Sequence, residues 1–373
     1  MAKLEDVCEI LDSKRVPITA SNRQPGPYPY YGANGIQDYI ADYIFDDELV
    51  LLAEDGGNFG SKEKPIAYRV SGKCWINNHA HVLKPKAGLD VDYLCYSLMF
   101  YDVTGLVNGA TRQKLNQAEM RKMEIPLPPL DEQRRIAAVL DKVSGLIAKR
   151  REQLDKLDEL VKARFVEMFG DPGWNTNKMQ TSPMTDLCEI IDGDRGKNYP
   201  KQEEFLDKGY CLFLNAKNVT SCGFVFDSCT YITKEKDQLL RKGKLSRGDI
   251  VLTTRGTIGN LAFYDNTVPF ENVRINSGMV ILRLNHEFIT ERFFIEQFKF
   301  QLYSIKEKIA NGSAQPQLPI STMSKIQMIV PPIEQQEKFD DFVIQTDKSK
   351  LTIQQSLDKL EVLRKALMQK YFG

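Results

Sequence analysis

The sequence has few of the residues and motifs from which active sites are most often built. Its 373 residues include only 3 histidines, and its 7 scattered cysteines form no CxxC pair. Disulfides or a zinc ribbon are therefore not expected, and the cysteines are predicted to be buried, reduced thiols. A GxxxxGK phosphate loop is absent. An Asn/Asp-Pro-Pro-Tyr/Phe motif for a flipped adenine is absent too, because Leu130 and Ile333 follow the two Pro-Pro pairs.

Long apolar runs and an excess of one charge are also missing. No run is long enough to span a membrane, and the N-terminus resembles neither a secretory signal nor a transit peptide. A cytoplasmic location is therefore predicted. The 50 Lys and Arg residues balance the 50 Asp and Glu residues, so composition by itself does not indicate nucleic-acid binding.

What the sequence does contain is a long internal repeat. PPLDEQRRI begins at Pro128 and PPIEQQEKF at Pro331, and the offset of 203 residues (331 − 128) holds without a gap to Gly170 and Gly373. Segments near the start of each half, such as CEILD at Cys8 and CEIID at Cys188, align at an offset of 180 (188 − 8). The chain is therefore predicted to consist of two similar halves whose ends match and whose middles diverge.

The divergent middles predict two compact α+β globules. In the first half, strands are predicted at residues 49–53, 67–70, 79–83 and 123–127 and a helix at 91–100. In the second half, strands are predicted at 210–214, 249–253, 261–264, 278–284 and 326–330 and a helix at 288–310. The Pro- and Gly-rich segment at residues 25–35 is interpreted as turns.

Each half is predicted to end in a long helix, beginning near Asp131 and Glu334. Heptad spacing of apolar residues predicts that the two helices pair antiparallel as a coiled coil. An ordinary amphipathic surface helix is the alternative, and it is disfavoured because there are two such helices, each with an incomplete seam. The predicted fold is two globules joined by the paired helices, with pseudo-twofold symmetry. The predicted seam residues are Ile136, Leu140, Val143, Ile147, Leu154, Leu157, Val161, Phe339, Val343, Ile353, Leu357, Leu360 and Leu367.

These repeated segments resemble those of the specificity subunit of type I DNA restriction–modification systems. The matching segments are PLPPLDEQRRIAAVLD at Pro126, VPPIEQQEKFDDFV at Val330, the shared tail LDKLxxLxKAxxxxxFG, and NGxxxxxL before each long helix. The resemblance implies two target-recognition domains, at residues 1–107 and 173–310. These would alternate with two conserved helical regions, at 108–172 and 311–373.

The resemblance also implies a function. Such a subunit recognises double-stranded DNA with a two-part target and a fixed spacer of unspecified sequence. It binds two methyltransferase subunits, which two restriction subunits can join. The methyltransferase partner binds S-adenosylmethionine and methylates adenine N6, and the restriction partner uses ATP and Mg. The resemblance therefore implies that this chain is non-catalytic and carries no cofactor or metal of its own.

Polar and basic side chains on predicted loops are the candidates for DNA contact. A basic run from Lys234 suits phosphate contacts, although a solvated helix face is an equally good interpretation. Arg255 on a Gly-flanked turn suits a contact to guanine. The candidates are Asn34, Gln37, Lys62, Arg69, Lys73, Asn77 and Asn78 in the first half and Asn215, Lys217, Asn218, Lys234, Lys236, Arg241, Lys242 and Arg255 in the second.

Some polar residues, and the chain as a whole, also allow other interpretations. His79 and His81 are predicted to share a strand face, but without a third ligand a metal site is disfavoured. The carboxylates Asp192, Asp194, Glu203 and Glu204 fit a solvated loop better than a nuclease site. The alternative function is a coiled-coil protein-interaction scaffold with two binding globules and no DNA role. A fused enzyme is disfavoured because the length leaves no room for a catalytic domain.

Overall fold

The computed structural model describes residues 1–61, 63–109, 113–221, 223–310 and 317–373, without the side chains of 303–310. The chain divides into two compact units. The first unit is Met1–Glu152 with Gln354–Gly373, and the second is Gln153–Ile353. The boundaries between the units therefore fall inside the two long helices, whereas the domain limits predicted from the sequence fall at residues 107, 172 and 310.

The elements of the first unit follow the chain up to the first long helix, α4, which continues into the second unit. They are β1 (Ala2–Lys3), α1 (Leu4–Val7), β2 (Cys8–Ile10), β3 (Pro25–Gly32), β4 (Gly35–Ile40), β5 (Phe45–Ala53), β6 (Ala67–Ile76), β7 (Ala80–Pro85), α2 (Val91–Met99), β8 (Val107–Asn108), β9 (Lys114–Leu115), α3 (Gln117–Lys122), β10 (Glu124–Ile125) and α4 (Leu130–Phe169).

The elements of the second unit follow α4 and lead to the second long helix, α9, which returns to the first unit. They are β11 (Thr181–Pro183), α5 (Met184–Leu187), β12 (Cys188–Asp192), β13 (Cys211–Phe213), β14 (Val219–Thr220), β15 (Gly223–Phe224), β16 (Tyr231–Ile232), α6 (Lys234–Leu239), β17 (Ile250–Thr253), β18 (Leu261–Phe263), β19 (Val273–Arg274), β20 (Met279–Leu284), α7 (Glu291–Ala310), α8 (Ile320–Met323), β21 (Gln327–Ile329) and α9 (Ile333–Phe372).

Strands predicted from apolar runs form the centre of each unit. The main sheet of the first unit has the order β2-β7-β5-β6-β3-β4, and that of the second unit has the order β12-β20-β17-β18. In β5 the run of residues 49–53 is buried on both faces, with Val50 in one core and Leu51 in another. In β17, Leu252 and Val251 likewise face different cores. Continuous apolar runs are typical of strands covered on both sides.

The two units share a set of elements with matching registers, which we call the frame. It consists of β1, α1, β2, β5, β7, α2, α3 and β10 in the first unit and of β11, α5, β12, β17, β20, α7, α8 and β21 in the second. Glu9 pairs with Lys84 and Glu189 with Arg283, while Leu52 pairs with His81 and Leu252 with Val280.

Most predicted elements are confirmed with shifted ends, but one segment was interpreted wrongly. Residues 25–35, which the Pro and Gly content predicts as turns, belong instead to the hairpin β3–β4. Pro25, Pro27 and Pro29 alternate along β3, so their missing N–H groups lie on one side of the strand only. Gly26 is required there, because a Cβ atom would lie 2.3 Å from the Cα of Ala41.

The predicted antiparallel pairing of the long helices is confirmed within each unit. In the first unit, Leu140 and Tyr371 pack in one apolar cluster, and Arg151 forms a 2.7 Å ion pair with Glu361. In the second unit, the rings of Phe165 and Phe339 meet edge to face, with centroids 5.4 Å apart. The thirteen predicted seam residues are all buried or half-buried.

The glutamine of the repeated Pro-Pro motif attaches each long helix to its globule. Gln133 is fully buried; its Oε1 accepts a hydrogen bond from the N–H of Asp90 (2.9 Å), and its Nε2 donates to the carbonyls of Gly88 (2.9 Å) and Pro128 (2.8 Å). Gln336 makes the corresponding bonds with the N–H of Thr290 and the carbonyls of Phe288 and Pro331, at 2.8–3.0 Å. The same three hydrogen bonds therefore form in both units, which explains why this part of the sequence is repeated.

Candidate nucleic-acid interface

The central strands β5 and β17 end in turns that have the same backbone geometry. The N–H groups of Glu54 and Asp55 donate to the carbonyl of His79, as those of Thr254 and Arg255 donate to the carbonyl of Gly278. The next residue is a glycine with positive φ in both turns, 63° in Gly56 and 69° in Gly256. Asp55 and Arg255 therefore occupy equivalent positions.

A second loop supports each turn in the same way. The Oδ1 of Asn77 accepts a 2.8 Å hydrogen bond from the N–H of His79, and the Oδ1 of Asn276 accepts one of 2.8 Å from the N–H of Gly278. We call residues 34–37, 54–58 and 77–79 the first loop edge. Residues 193–196, 241–242, 254–257 and 276–278 form the second loop edge.

The first loop edge is rich in amides and carries the carboxylates of Glu54 and Asp55 but no Lys or Arg. Asn34 donates to the carbonyl of Gly56 (2.9 Å) and accepts from the side chain of Asn58 (3.1 Å). Gln37 accepts from the Nδ2 of Asn77 at 3.1 Å. The imidazole Nδ1 of His79 lies 2.6 Å from the Oδ1 of Asp55. Three of the predicted DNA-contact residues, Asn34, Gln37 and Asn77, are thus brought together.

The second loop edge is cationic. Arg195 donates to the carbonyl of Ser277 and to Asp192, both at 3.1 Å. Arg241 and Lys242 are exposed beside it, with the guanidinium of Arg241 packed against the 193–196 loop. Arg255 is exposed as well, and its side chain has no hydrogen bond or ion pair with any described residue. A cluster of this kind suits the phosphates and base edges of a nucleic acid.

Buried polar groups hold the cationic loops in place. Asp194 accepts the N–H groups of Gly196 and Arg241, both at 2.7 Å. Burial alone would raise the pKa of Asp194, but these hydrogen bonds outweigh it and keep the pKa below its usual value. Arg274 is buried, pairs with Asp237 at 2.5 Å and donates to the carbonyl of Lys242 at 2.7 Å. These bonds therefore preorganise the second loop edge.

The other predicted DNA-contact residues have different environments. Asn78 is exposed and belongs to the first loop edge, whereas Asn215 is half-buried and Lys217 is exposed outside both edges. Lys62 lies outside the described residues. The remaining five have partners away from the loop edges or structural roles. Arg69 pairs with Glu48 and Asp92, Lys236 with Glu204, Lys73 lies over the ring of Tyr43, Lys234 lies 5.8 Å from the ring of Tyr210, and Asn218 is buried.

Burial corrects the interpretation of two of these asparagines. Asn218 is fully buried, and its Nδ2 donates to the carbonyls of Val225 and Ser228. Asn77 is 3% exposed and holds the N–H of His79. Because their amide groups are already used to fix loops, both have structural roles.

His79 and His81 do not face the same ligand. His81 is fully buried, with its Nδ1 2.7 Å from Asp12 and its Nε2 2.8 Å from the carbonyl of Leu115. Ligand atoms of Asp12, Glu54 and His81 approach within 4.8 Å of one another, a spacing that a metal ion could use. However, both ring nitrogens of His81 already have partners, and Glu54 pairs with Arg15 (2.6 Å). The group is therefore satisfied as a charge network.

The pKa values of the two carboxyls reflect this network. Burial alone would raise the pKa of Asp12, but hydrogen bonds from His81 and Gln117 and the charge of His81 hold it below its usual range. Burial also opposes ionisation of Glu54, whose pKa is nevertheless lowered by Arg15 and Lys114. Since Lys114 and Leu115 lie at the end of the NGxxxxxL segment and Gln117 follows it, the network ties the end of that segment to the first unit.

The predicted carboxylate group of the second half separates into parts with different partners. Asp192 pairs with Arg195 and Asp194 holds backbone N–H groups, whereas Glu204 accepts from the N–H of Lys201 and pairs with Lys236. Sequence reasoning missed Arg195 and Asn276. An alignment of INNHA at Ile76 with INSGM at Ile275 would have identified Asn276 as the counterpart of Asn77.

The chain is similar to known proteins over nearly its whole length. A family model described as the type I restriction modification DNA specificity domain matches residues 1–158 and 176–362. A Haemophilus influenzae protein provisionally named a type I restriction enzyme specificity subunit is 28% identical, over 98% of this chain and 94% of its own length. The MjaIX specificity subunit of Methanocaldococcus jannaschii is 24% identical, over 99% of this chain and 91% of its own length.

Solved structures match over the whole chain. The S subunit of a type I restriction–modification system from M. genitalium has a TM-score of 0.62 at 17% identity, covering 100% of this chain and 95% of that one. At this identity the likeness shows the fold alone. Among the described residues, none of the helices is long and apolar enough to cross a membrane.

Proposed function

The chain belongs to the family of type I restriction–modification DNA specificity subunits, and on that premise we propose that it recognises a two-part DNA target with a fixed spacer. In this proposal each loop edge reads one part of the target. The paired long helices dock adenine-N6 methyltransferase subunits and, in a restriction complex, restriction subunits. The chain acts as a non-catalytic part of that complex.

The observation that carries the proposal is that two equivalent loop edges present different chemistry on one frame. The backbone bonds at Asp55 and Arg255 are the same, so the two edges can approach a target in the same way. Their side chains differ, with amides and a His–Asp pair at one edge and cations at the other. Two loop edges with the same backbone geometry and different side chains suit a target whose two parts differ in sequence.

Apolar side chains on the outer faces of the long helices support the docking role. Beyond the buried seam, the exposed residues are Leu146, Val362 and Leu363 in the first unit and Leu160, Val166, Ile344 and Leu351 in the second. Exposed apolar side chains on these helices are available for contact with a partner protein.

The catalytic chemistry is assigned to the partners in this proposal. The methyltransferase subunits supply S-adenosylmethionine and the pocket for the flipped adenine, and the restriction subunits supply ATP hydrolysis with Mg. The absence of a Pro-Pro-Tyr/Phe motif and a phosphate loop from the sequence supports this division. The chain itself contributes target selection, and a cytoplasmic location stays a prediction.

The test is co-expression of the chain with its adenine methyltransferase partner in a host lacking other adenine methylation, followed by methylome sequencing. We expect one two-part motif methylated on both strands, and none when either protein is omitted. Inserting about one heptad into both helices should lengthen the spacer and leave both half-sites unchanged. Methylation by the isolated chain, or a single undivided motif, would contradict the proposal.

A further inference from the structure

We propose that Arg255 reads a guanine in the half-site bound by the second loop edge. This inference rests on the proposed recognition of DNA and goes further by naming a residue and the base it selects.

The backbone of Arg255 is fixed on both sides. Its N–H donates to the carbonyl of Gly278 at 3.2 Å, and the hydroxyl of Thr254 donates to that same carbonyl at 3.0 Å. The carbonyl of Thr254 accepts the N–H of Leu318 at 2.9 Å. The side chain therefore starts from a defined point at the tip of a turn, and less conformational freedom is lost when it meets a ligand.

Among the described residues, the guanidinium of Arg255 has no acceptor, whereas that of its neighbour Arg195 has two. Arg195 is held by Asp192 and the carbonyl of Ser277. Arg255 is exposed and has no side-chain partner among the residues that the structure describes. A planar guanidinium presents paired N–H donors, which match the O6 and N7 acceptors of guanine in the major groove.

A phosphate could also accept those donors, and the counterpart in the first unit favours the base. Phosphates are the same in every DNA sequence. A residue that contacts a phosphate is therefore not expected to have opposite charges in the two loop edges. At the equivalent position the first unit has Asp55, whose carboxylate is paired with His79 at 2.6 Å. Carboxylates accept hydrogen bonds and cannot satisfy guanine O6 and N7. The difference between Asp55 in the first unit and Arg255 in the second is thus the kind expected where the two half-sites differ in sequence.

The experiment uses the complex of the full chain with its methyltransferase partner. Arg255→Lys keeps the charge and loses the planar fork, whereas Arg255→Gln loses both. We expect each variant to lose discrimination at one guanine position by about 10- to 100-fold, from the value of a bidentate pair. The base preferences of the half-site read by the first unit serve as the internal control and should be unchanged.

Modified DNA identifies the contacted atoms. Replacing that guanine by 7-deazaguanine removes the N7 acceptor and should weaken wild-type binding several-fold, with no further loss in Arg255→Gln. Thermal unfolding of the variants should match the wild type, because the side chain is exposed.

Two results would overturn the inference and leave the proposed function standing. One is an unchanged methylated motif in both variants. The other is uniform weakening on all sequences with a salt dependence shallower by about one phosphate contact, the signature of backbone binding. A wild-type complex that yields no two-part motif would overturn both.

Discussion

At the turn after its central strand, the first unit has Asp55 and the second has Arg255. The backbone around these residues is the same, down to the hydrogen bonds to residues 79 and 278 and the positive-φ glycines that follow. The side chains are opposite in charge. Because backbone bonds hold the turn, its geometry does not depend on which side chain stands at its tip.

The same contrast continues beneath the turn. The first unit has the buried charge network of Asp12, Glu54 and His81 with Arg15 and Lys114. The second unit has Thr254 and Val280 at the positions of Glu54 and His81. The strand register is nevertheless conserved. The frame therefore depends on its backbone ladder and apolar core, whereas this buried charge network is specific to the first unit.

Removing the shared glutamine should break the frame equally in both units. Gln133→Ala and Gln336→Ala each leave one N–H and two carbonyls without partners, so we expect a loss of about 4 kcal/mol in the free energy of unfolding. Chemical denaturation, with hydrogen exchange to locate the loosened unit, would measure it. Gln335→Ala, at an exposed neighbour, should change stability by less than about 0.5 kcal/mol. A large effect in one unit only would show that the frame is not equivalent.

Replacing Glu54 by the residue of the second unit should affect the first unit alone. Glu54→Thr removes the carboxylate that pairs with Lys114 at 2.9 Å and with Arg15 at 2.6 Å, and leaves Arg15 only the longer 3.5 Å contact to Asp12. We expect a loss of about 3 kcal/mol in the free energy of unfolding. Chemical denaturation of Glu54→Thr and of a control variant at an exposed site nearby, Glu63→Thr, would measure the difference in stability. Restoration of much of the loss by adding Arg15→Met would confirm that an unpaired charge is the cause. Equal stability of the two single variants would contradict the network described above.

The smallest expected effect concerns a carboxyl present in the second unit only. Asp340 accepts the N–H of Phe293 near the start of α7, whereas Ala137 is the aligned residue in the first unit (340 − 203). Burial raises the pKa of Asp340 to about 6. A raised pKa contributes stability that is complete below the unfolded value and is lost as the pH rises through about 6.

Asp340→Asn, which cannot ionise, should therefore stabilise the second unit by about 2 kcal/mol at pH 8, with the gain vanishing near pH 4. Denaturation across this pH range would measure it, with Asp341→Asn at the exposed neighbour as the control. A gain that is independent of pH would show that ionisation of Asp340 is not responsible.

Much of the architecture could be predicted because it repeats or has a period. The offset of 203 residues located the second long helix from the first, and the heptads identified faces that are buried or half-buried. The hairpin β3–β4 could not be predicted in the same way. Its prolines and glycines look like turns locally, and they become a strand only because β4 and β6 supply partners.

The same distinction between predictable and unpredictable features applies to the candidate nucleic-acid interface. The sequence by itself determined the doubling of the chain, the paired helices and the family, because periodic apolar spacing and matching repeats are visible along the chain without any tertiary contact. Only the tertiary structure decided that Asn77 is a buried support, that Arg195 belongs beside Arg241, and that Asp55 and Arg255 are counterparts. Those facts depend on which loops meet at the end of a sheet, and residues far apart in sequence meet there through strand pairing that the local sequence does not encode.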